Sequence, residues 1–521
     1  MDAFNFSSAS HHDNRNIFAA VSVVIAIIAV LHSWRDNSVG YLFRRVKQHV
    51  RNRASAWNFL LKGPTMIQTA FDKSNGQPFE MFAPDGRYIF VSAPEHIKEI
   101  DTAPDTILSL QAASKQMLQP VYSMHGFNWF DRRGTEGVGF IRALRTLLTH
   151  HLPAILPDLR IATSYRLKAE VSKYKTLEGT SHVPIYPTMV TLVVLANSYS
   201  FFGEELARNE PFMKAALTYV EQTFLIAEIV RVIPRTLAKF VGPMLAKRVS
   251  SQKIVYKELM FIAEERVRDR DLGLKTKTHN DCIQWIMETS PKQNPWNAQR
   301  VVFELMAIWF GSVHAMSTTA TFALQDLCLH QEYIEPLRKE FEGPAYASFE
   351  KAASGLPLLD SFIKESARLT PVESLSTRRQ ALKPFTLSTG ARLSVGDWLC
   401  TPVQALMQTE THYPQALSFN GFRFVDPALF DKEDMAPNEA FQSAPSKLTD
   451  VGHTFHVWGT GRMACPGRVY AAAIMKLLVA QVITEYDIEL VDKQEQRWWV
   501  WRSSMLPKDK TIVAFKPRAT S

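Results

Sequence analysis

One cysteine of the chain stands in a setting that favours metal ligation. Cys465 has three glycines within six residues of it and directly precedes an apolar segment of helical character. Glycine lets the backbone take positive φ and approach a flat ligand, while a helix N-terminus and the neighbouring Arg462 and Arg468 favour a thiolate over a thiol. An isolated cysteine is more often a small buried apolar residue, but the glycines and arginines predict that Cys465 binds iron.

A second candidate is an acid–base pair. Glu365 and Arg368 are three residues apart in the segment LPLLDSFIKESARLTP, so they lie on one face of a predicted helix. Such a pair on a protein surface contributes only about 0.3 kcal/mol. The apolar residues on both sides predict instead that this pair is buried, where a carboxylate needs a charged partner to offset its desolvation.

A third candidate lies in the segment 301–327, which is apolar nearly all round and predicts a buried core helix. Two small residues interrupt its bulky side chains, and His314 follows them. Ser317 and Thr318 come three and four residues after His314, hence on the same face, where their hydroxyls can hold a water. His314 is then either a hydrogen-bonded core histidine or a proton donor, and the sequence alone leaves both open.

The composition bounds the class of protein. The chain has 521 residues, 46% hydrophobic and 21% charged, which is the balance of a globular protein rather than a disordered one. Its four cysteines are too widely spaced for a disulfide framework or a zinc cluster. The formal net charge of +8 argues only weakly for nucleic acid and fits an acidic protein or a membrane surface as well. Because no G-x-G-x-x-G segment opens a strand–helix–strand unit, we expect no dinucleotide domain.

The periodicity predicts a mainly α fold with small β-sheets. Alternating aromatic residues in 77–91 surround an Asp-Gly turn and predict a two-stranded hairpin. Helical spacing dominates 141–362. Short β-branched runs in 383–401 predict a second small sheet, and the aperiodic stretch 425–453 predicts a long loop before the cysteine turn. We find no linker or repeat and expect one large domain.

The N-terminal part of the chain carries a candidate membrane anchor. Residues 17–34 hold no formal charge and, as a helix, approach the ~30 Å thickness of a bilayer's hydrocarbon core. Lysine and arginine are concentrated after this segment, which predicts a lumenal N-terminus at 1–16, a basic linker at 35–59 and a cytosolic catalytic domain at 60–521. A cleaved secretory signal is the alternative, but no A-x-A-like cleavage site follows the apolar run.

The residues around the cysteine resemble the signature of the cytochrome P450 family of heme-thiolate monooxygenases. The segment WGTGRMACPG has an aromatic residue at Trp458 and its glycines and cysteine at the family's spacing. Met463 departs from the pattern, because the family usually has Arg or His there to contact a heme propionate. The Glu365 and Arg368 pair resembles the family's E-x-x-R motif. FNGFRF resembles the segment whose arginine, here Arg423, completes a structural Glu–Arg–Arg network.

The resemblance implies a P450 fold preceded by one transmembrane helix, with heme b (iron protoporphyrin IX) as cofactor and Cys465 as the ligand of its iron. His314 occupies the acid position of the family's oxygen-binding groove and Ala315 the threonine position, so the usual acid–alcohol relay is absent. Ser317 and Thr318 are then the candidate catalytic hydroxyls beside His314. The other predicted cofactor-binding residues are Trp458, Arg462, Arg145 with Arg142 as its alternative, and Arg378 with Arg379 as its alternative.

The resemblance also implies a substrate pocket. The residues one or two turns before the small pair in the long helix are apolar and are candidates to line it, although their spacing is equally that of plain core, and the variable segment 109–130 is expected to cap it. The candidates are Phe303, Met306, Ala307 and Phe310.

The implied function is that of an endoplasmic-reticulum-anchored monooxygenase, which inserts one O2-derived oxygen into a C–H bond of a hydrophobic small molecule. Its electrons come from NADPH through a separate NADPH–cytochrome P450 reductase, and we expect no nucleic-acid partner. The segment GRMACPGR resembles that of fungal members of the family. This resemblance favours a role in secondary metabolism, with a terpenoid or polyketide as the substrate. Two alternatives stay open: desaturation, cyclisation or rearrangement on the same heme scaffold, and a membrane-tethered binding protein without a cofactor.

Overall fold

The computed structural model describes residues 41–131, 139–174, 176–177, 179–274, 279–429 and 444–518. The predicted lumenal segment 1–16, the predicted anchor 17–34 and the start of the predicted linker lie outside these residues. Within them, two helices, Ile185–Phe202 and Ala298–Leu329, are long and apolar enough to cross a membrane. Their most apolar windows are 67% and 61% buried inside the protein, which is the pattern of core helices.

Helices form most of the described chain, as the periodicity predicts. Their bounds are α1 Tyr41–Ser74, α2 Pro94–Thr102, α3 Leu110–Leu118, α4 Pro120–Ser123, α5 Gly139–Arg142, α6 Thr149–Ser172, α7 Ile185–Phe202, α8 Glu204–Ala207, α9 Glu210–Val232, α10 Arg235–Arg248, α11 Ser251–Asp271, α12 Cys282–Glu288, α13 Ala298–Leu329, α14 Ile334–Glu342, α15 Pro344–Ala352, α16 Pro357–Leu369, α17 Val403–Met407 and α18 Arg468–Glu485. A π-helical turn, Ala143–Leu148, joins α5 to α6.

The strands are short and form small sheets. Their bounds are β1 Phe79–Ala83, β2 Gly86–Phe90, β3 Leu108–Ser109, β4 Thr176–Leu177, β5 Thr180–Pro184, β6 Ser376–Ala381, β7 Phe385–Thr386, β8 Arg392–Leu393, β9 Trp398–Thr401, β10 Tyr486–Leu490, β11 Trp498–Trp501, β12 Ser504–Pro507 and β13 Ile512–Pro517. The largest sheet has the order β1-β2-β9-β6-β3, the next has the order β10-β13-β5-β4, and β11-β12 and β7-β8 are separate pairs.

The predicted hairpin is present as β1 and β2. The predicted second sheet is present in part, because β7 and β8 of the segment 383–401 form a separate pair, whereas β9 of that segment joins the hairpin. β9, from the segment 383–401, pairs in parallel with β2, so that Tyr88 lies beside Trp398. Their rings stack at 4.9 Å. Local alternation predicts each strand but carries no information about a partner about 300 residues away, which is why β9 was expected in the second sheet and not beside β2.

The largest sheet also contacts the end of the predicted linker. Successive residues of β2 alternate between its two faces, with Phe90 on one side and Ile89 on the other. Phe59 of α1 is fully buried on the Phe90 side and meets Tyr88 edge-on at 5.8 Å. α1 has a kink at Lys62, just after residue 60. The end of the predicted linker therefore packs through Phe59 against the largest sheet.

The helical core is built around α13. The Asn297 side chain caps the first turn of this helix by accepting from the Arg300 N–H. α13 packs against α7, α11, α16 and α18. Trp309, at its centre, is fully buried and donates its indole N–H to the Ala216 carbonyl at 2.8 Å. The middle of α13 is therefore held rigidly between α7, α9 and α18.

Candidate functional site

The predicted cysteine turn is a tight loop that directly precedes α18. Its backbone reverses through Gly459 and Gly461, whose φ values of +79° and +55° are ones that side-chain-bearing residues rarely adopt. The Cys465 N–H donates to the Trp458 carbonyl at 2.7 Å and closes the loop. A Cβ at position 461 would lie 2.7 Å from the carboxylate carbon of Asp101. The glycine is thus required by a close approach as well as by its φ.

Cys465 itself is only partly buried, whereas the other three cysteines of the chain are buried. Burial of its sulfur raises the pKa of the thiol, and the Gly467 N–H, Arg468 and Arg145 oppose that rise. A thiolate at this position gains stability from a further positive charge, which a bound metal ion supplies.

The middle of α13 has one face that the neighbouring elements leave partly uncovered. Gly311 and Ala315 are exposed and Thr319 is partly exposed, and the three follow one another at intervals of four residues, although most of this helix is buried. In the part of the chain that the structure describes, nothing lies within 4 Å of a Cβ built on Gly311, apart from its own neighbours along the helix. We call residues 311, 315 and 319 the open face of α13. Its small side chains leave room for a flat group beside the helix.

A buried chain of hydrogen bonds connects the helix after the cysteine to the open face. Tyr470 Oη donates to Asn197 Oδ1 at 3.0 Å, and Asn197 Nδ2 donates to Ser312 Oγ at 3.0 Å. Ser312 Oγ donates in turn to the Trp309 carbonyl at 3.0 Å. This chain fixes α18, α7 and α13 against one another next to the open face.

Three predicted cofactor contacts support the loop through its backbone. Trp458 Nε1 donates to the Leu448 carbonyl at 2.7 Å. Arg145 Nη2 lies 3.4 and 3.5 Å from the carbonyl oxygens of two loop residues. Arg462 extends towards the surface and pairs with Asp105 at 2.8 Å. These contacts hold the loop in place, and a direct contact of the three side chains with a cofactor stays a prediction.

Arg378 and Arg379, between which the sequence does not choose, have different surroundings in the structure. Arg378 contacts Met117 Sδ at 2.7 Å and lies 3.5 Å from a carboxylate oxygen of Glu373. Arg379 is buried, and its Nη2 has no hydrogen-bond partner among the described residues, with Asp101 Oδ1 3.8 Å away. Burial lowers the pKa of Arg379 to about 10. A buried donor without a partner fits an anionic group that the chain does not itself supply, and a heme propionate is such a group.

The predicted Glu–Arg–Arg network is present in the structure. Arg368 Nε and Nη2 donate to the two carboxylate oxygens of Glu365 at 2.7 and 2.8 Å, and Arg423 Nε lies 3.1 and 3.2 Å from the same oxygens. All three side chains are fully buried. Arg368 Nη1 also donates to the carbonyls of Met407 and Ala416, each at 2.6 Å. We call Glu365, Arg368 and Arg423 the Glu365 network.

The three predicted catalytic residues lie in different environments. His314 Nδ1 is 3.0 Å from Tyr186 Oη of α7. Ser317 is fully buried and donates to the Val313 carbonyl at 2.8 Å, as serines inside helices often do. Thr318 is also fully buried, and its Oγ1 has no hydrogen-bond partner within the described ranges. The structure therefore brings His314 and Thr318 together near Tyr186, whereas the Ser317 hydroxyl is already engaged.

The four predicted pocket residues differ in how far they are buried. Ala307 and Phe310 are partly exposed, and Ala307 lies one turn before Gly311 of the open face. Met306 is fully buried. Phe303 stacks on Phe127 at 4.8 Å, which places part of the segment 109–130 against α13, and its role as a cap stays a prediction. Ala307 and Phe310 are thus the pair that remains available to a ligand.

Sequence reasoning missed one residue of this site and left one choice open. Tyr186 is 128 residues from His314, and nothing in its local pattern marks it as the partner of a histidine. Arg379 was a sequence candidate beside Arg378. The difference between the two was out of reach, because it depends on which of two adjacent guanidinium groups finds a partner inside the fold.

Comparisons with known proteins agree with this geometry. The family model described as "Cytochrome P450" matches residues 168–515. An ent-kaurene oxidase of Gibberella intermedia is 27% identical over 88% of this chain and 85% of its own length. The cytochrome P450 monooxygenase paxP of Penicillium paxilli is 26% identical over 88% and 86% of the two chains. The solved structure described as "Retinoic acid bound cyanobacterial CYP120A1" has a TM-score of 0.63 at 17% identity and covers 89% of this chain and 96% of its own, a likeness of fold.

Proposed function

Because the chain belongs to the cytochrome P450 family, we propose that it inserts one O2-derived oxygen into a C–H bond of a hydrophobic metabolite of fungal secondary metabolism. It is a heme-dependent monooxygenase with heme b as its cofactor. The observation that carries the proposal is the partly exposed Cys465 at the end of a closed glycine loop. This loop has the form that a thiolate ligand needs, because the Cys465 N–H bond to the Trp458 carbonyl fixes its backbone while Cys465 stays partly exposed.

The residues present fit the cofactor. Cys465 would hold the iron, and the buried, unpartnered Nη2 of Arg379 would bind a propionate. Gly311 and Ala315 leave space for the flat face of the group. Thiolate-bound heme supplies oxygen activation by two electrons that come from outside the chain. Four further residues are proposed to contact the cofactor: Trp458, Arg145, Arg462 and Arg378. The first three also hold the cysteine loop in place.

An apolar substrate fits the surroundings of the open face. Ala307 and Phe310 present apolar surface on α13, and Phe127 of the segment 109–130 stacks on Phe303 one turn before Ala307. One relative is named for the oxidation of ent-kaurene, a terpenoid hydrocarbon. These points support a terpenoid substrate over a polar one, because a pocket with few polar groups binds mainly by apolar burial.

The electron donor in this proposal is NADPH–cytochrome P450 reductase. Arg142 and Arg145 are exposed at the start of the helical region beside the cysteine loop, and Arg462 of the loop is half exposed. Exposed cations so close to the cofactor site favour docking of an acidic electron-transfer protein, whose association they also accelerate.

We further propose that the protein is a single-pass protein of the endoplasmic reticulum membrane, with its catalytic domain in the cytosol. α10 supports this placement because Phe240 is 76% and Met244 47% exposed, and Lys239 lies next to Phe240. A cavity of about 600 Å³ is lined by Trp57 of α1 and by Lys239. The exposed apolar face of α10 is therefore on the same side as the chain segment that follows the predicted anchor, where one bilayer can contact both.

The absorption spectrum of the reduced carbon monoxide complex tests the ligand. Wild-type protein should show the band of a thiolate-ligated heme, and Cys465→Ala should lose it. Cys328→Ala is the matched control, because Cys328 is buried far along the chain in α13 and should leave the band unchanged. A thiolate-type band that persists in Cys465→Ala would overturn the assignment.

Incubation with 18O2 and a reconstituted reductase tests the reaction. Oxygen insertion leaves the label in the product, whereas desaturation leaves none. Ala315 lies at the open face where the family has an alcohol, so desaturation, cyclisation or rearrangement is the second candidate. An unlabelled, oxidised product would favour it over insertion.

A further inference from the structure

Tyr186 is held next to His314 by the way β5 runs into α7. Pro184 ends β5 and is also the residue that precedes α7, so Tyr186 falls in the first turn of that helix. Ile185 is fully buried, and its N–H donates to the Thr511 carbonyl at 3.2 Å. The position of the Tyr186 ring is thus set by both a sheet and a helix, and its Oη lies 3.0 Å from His314 Nδ1.

The protonation states of the pair are set by burial. Burial lowers the pKa of His314 to about 4, so its ring is neutral at physiological pH and carries one proton. Burial also raises the pKa of Tyr186 well above its ordinary value, so the phenol keeps its proton. A neutral imidazole and a neutral phenol can share their hydrogen bond in two ways, with the proton of the bond on the oxygen or on Nδ1.

Thr318 favours one of these two arrangements. Its hydroxyl lies close enough to Tyr186 to lower the pKa of the phenol in part, against the larger effect of burial. Its Oγ1 is buried without a hydrogen-bond partner of normal geometry among the described residues. Since a buried hydroxyl gains most by donating to a nearby oxygen, the Thr318 O–H is best placed to donate to Tyr186 Oη. The phenol proton is then free to be donated to His314.

We propose that Tyr186 is a positioning residue that donates to His314 Nδ1 and so keeps the ring proton on Nε2, where it forms a donor beside the open face of α13. This inference rests on the proposed function, because it matters only if an oxygen-bearing group occupies the space beside Gly311 and Ala315. It gives the site a neutral N–H donor in a segment where Ala315 supplies no hydroxyl. The sequence-based candidate Ser317 is not needed for this role.

The tautomer can be measured directly. In heme-loaded protein labelled with 15N in the histidine rings, the His314 signals are assigned by their loss in His314→Gln. We expect wild-type His314 to be protonated at Nε2. In Tyr186→Phe the Nδ1-protonated form should increase about fivefold, the effect of losing one neutral hydrogen bond. Tyr199→Phe is the matched control, because it removes a hydroxyl from the same helix near its other end.

A second measurement separates positioning from a merely structural role. With reductase and substrate, Tyr186→Phe should release more hydrogen peroxide per NADPH consumed than wild type or Tyr199→Phe, at equal heme content. Thr318→Val should act in the same direction, and Thr318→Ser should restore the wild-type ratio.

Two outcomes would overturn the proposal. One is a wild-type His314 protonated mainly at Nδ1, and the other is a Tyr186→Phe protein with the wild-type tautomer and peroxide ratio. Either result, obtained on protein whose carbon monoxide complex shows a thiolate-ligated heme, would leave the proposed function standing. A protein without that spectrum would instead contradict the proposed function itself.

Discussion

Two buried networks of carboxylates and guanidinium groups stabilise this protein, and they neutralise charge in different ways. In the Glu365 network one carboxylate faces two arginines, so the three side chains carry a net positive charge. Backbone carbonyls accept further N–H groups of the two arginines. Arg368 donates to the carbonyls of Met407 and Ala416, and Arg423 donates to the Pro414 carbonyl at 2.7 Å. The net positive charge of this network is thus partly offset by the dipoles of the backbone carbonyls that accept from both guanidinium groups.

The second network joins the β1–β2 turn, the last turn of α9 and the β11–β12 turn. Arg231 donates to Asp85 at 2.7 Å and to Glu228 at 2.6 Å, and Arg502 donates to the same carboxylates at 2.9 and 2.6 Å. The four side chains are between 4% and 7% exposed. Each carboxylate contacts both guanidinium groups, so the ring is closed and balanced in charge. We call these four residues the Asp85 network.

The difference lies in what remains when one carboxylate is neutralised. In the Asp85 network Glu228 would still face both arginines, whereas the Glu365 network would keep two buried cations and no anion. Burial alone would raise the pKa of Asp85, but Arg231 and Arg502 together lower it below its ordinary value. The same two arginines lower the pKa of Glu228, so both carboxylates of the ring stay ionised at neutral pH. A balanced ring should therefore tolerate the loss of one charge better than a network with a single anion.

The largest effect is expected for Glu365→Gln. The amide keeps the shape of the side chain but leaves Arg368 and Arg423 without a counter-charge, and breaking a buried pair in this way costs about 3–5 kcal/mol. Urea denaturation followed by circular dichroism, together with the heme-to-protein ratio, measures the loss.

Glu350→Gln is the control for this variant, because Glu350 pairs with Arg160 at 3.0 Å on the surface and such pairs contribute at most about 1 kcal/mol. Equal losses in the two variants would show that the Glu365 network contributes no more than a surface pair. If Glu365→Gln does not accumulate, recovery of folded protein in Glu365→Asp would still attribute the failure to the missing charge.

A smaller effect is expected for Asp85→Asn. The variant loses charge-assisted hydrogen bonds from Arg231 and Arg502, but Glu228 remains to face both, so the free energy of unfolding should fall by about 2 kcal/mol. The same denaturation measurement applies. Asp487→Asn is the control, since this carboxylate is 55% exposed in its pair with Arg338. A loss as large as that of Glu365→Gln would contradict the idea that a balanced ring tolerates neutralisation.

The two networks also differ in how far the sequence predicts them. Glu365 and Arg368 are one helical turn apart, so their pairing follows from the period of the helix, and the resemblance of FNGFRF adds Arg423. The Asp85 network gathers residues from three segments separated by more than a hundred positions. No local pattern encodes such a meeting, because only the folded topology brings these turns together.

The same contrast holds for the elements of the fold and of the site. The cysteine loop, the long apolar helix and the β1–β2 hairpin each have a local pattern, and each is present. The parallel pairing of β2 with β9, and the contact of Tyr186 with His314, depend on distant residues and were not predicted. Whether Arg378 or Arg379 keeps an unpartnered donor depends on Asp101 and Glu373, which lie on different elements.

Lys364 shows a third way to bury a cation and carries the smallest of the three expected effects. Its Nζ lies 4.4 and 4.6 Å from the ring centroids of Phe424 and Phe455 and donates to the Ser446 hydroxyl and the Lys447 carbonyl. No carboxylate of the described residues forms an ion pair with it. Burial lowers the pKa of Lys364 to about 8, although Asp450 and Asp360 oppose the shift.

The sign of the resulting pH dependence follows from proton binding. The unfolded chain holds the Lys364 proton up to its ordinary pKa of 10.5, so between pH 8 and that value the unfolded state binds more protons than the folded state. The free energy of unfolding should therefore rise with pH in this window, by about 1 kcal/mol between pH 8 and 9, and Lys364→Met should lack that rise. Urea denaturation at both pH values measures it, with Lys98→Met as the control for loss of an exposed lysine. An equal pH dependence in Lys364→Met and wild type would mean that the aromatic rings stabilise the charge well enough to cancel its desolvation.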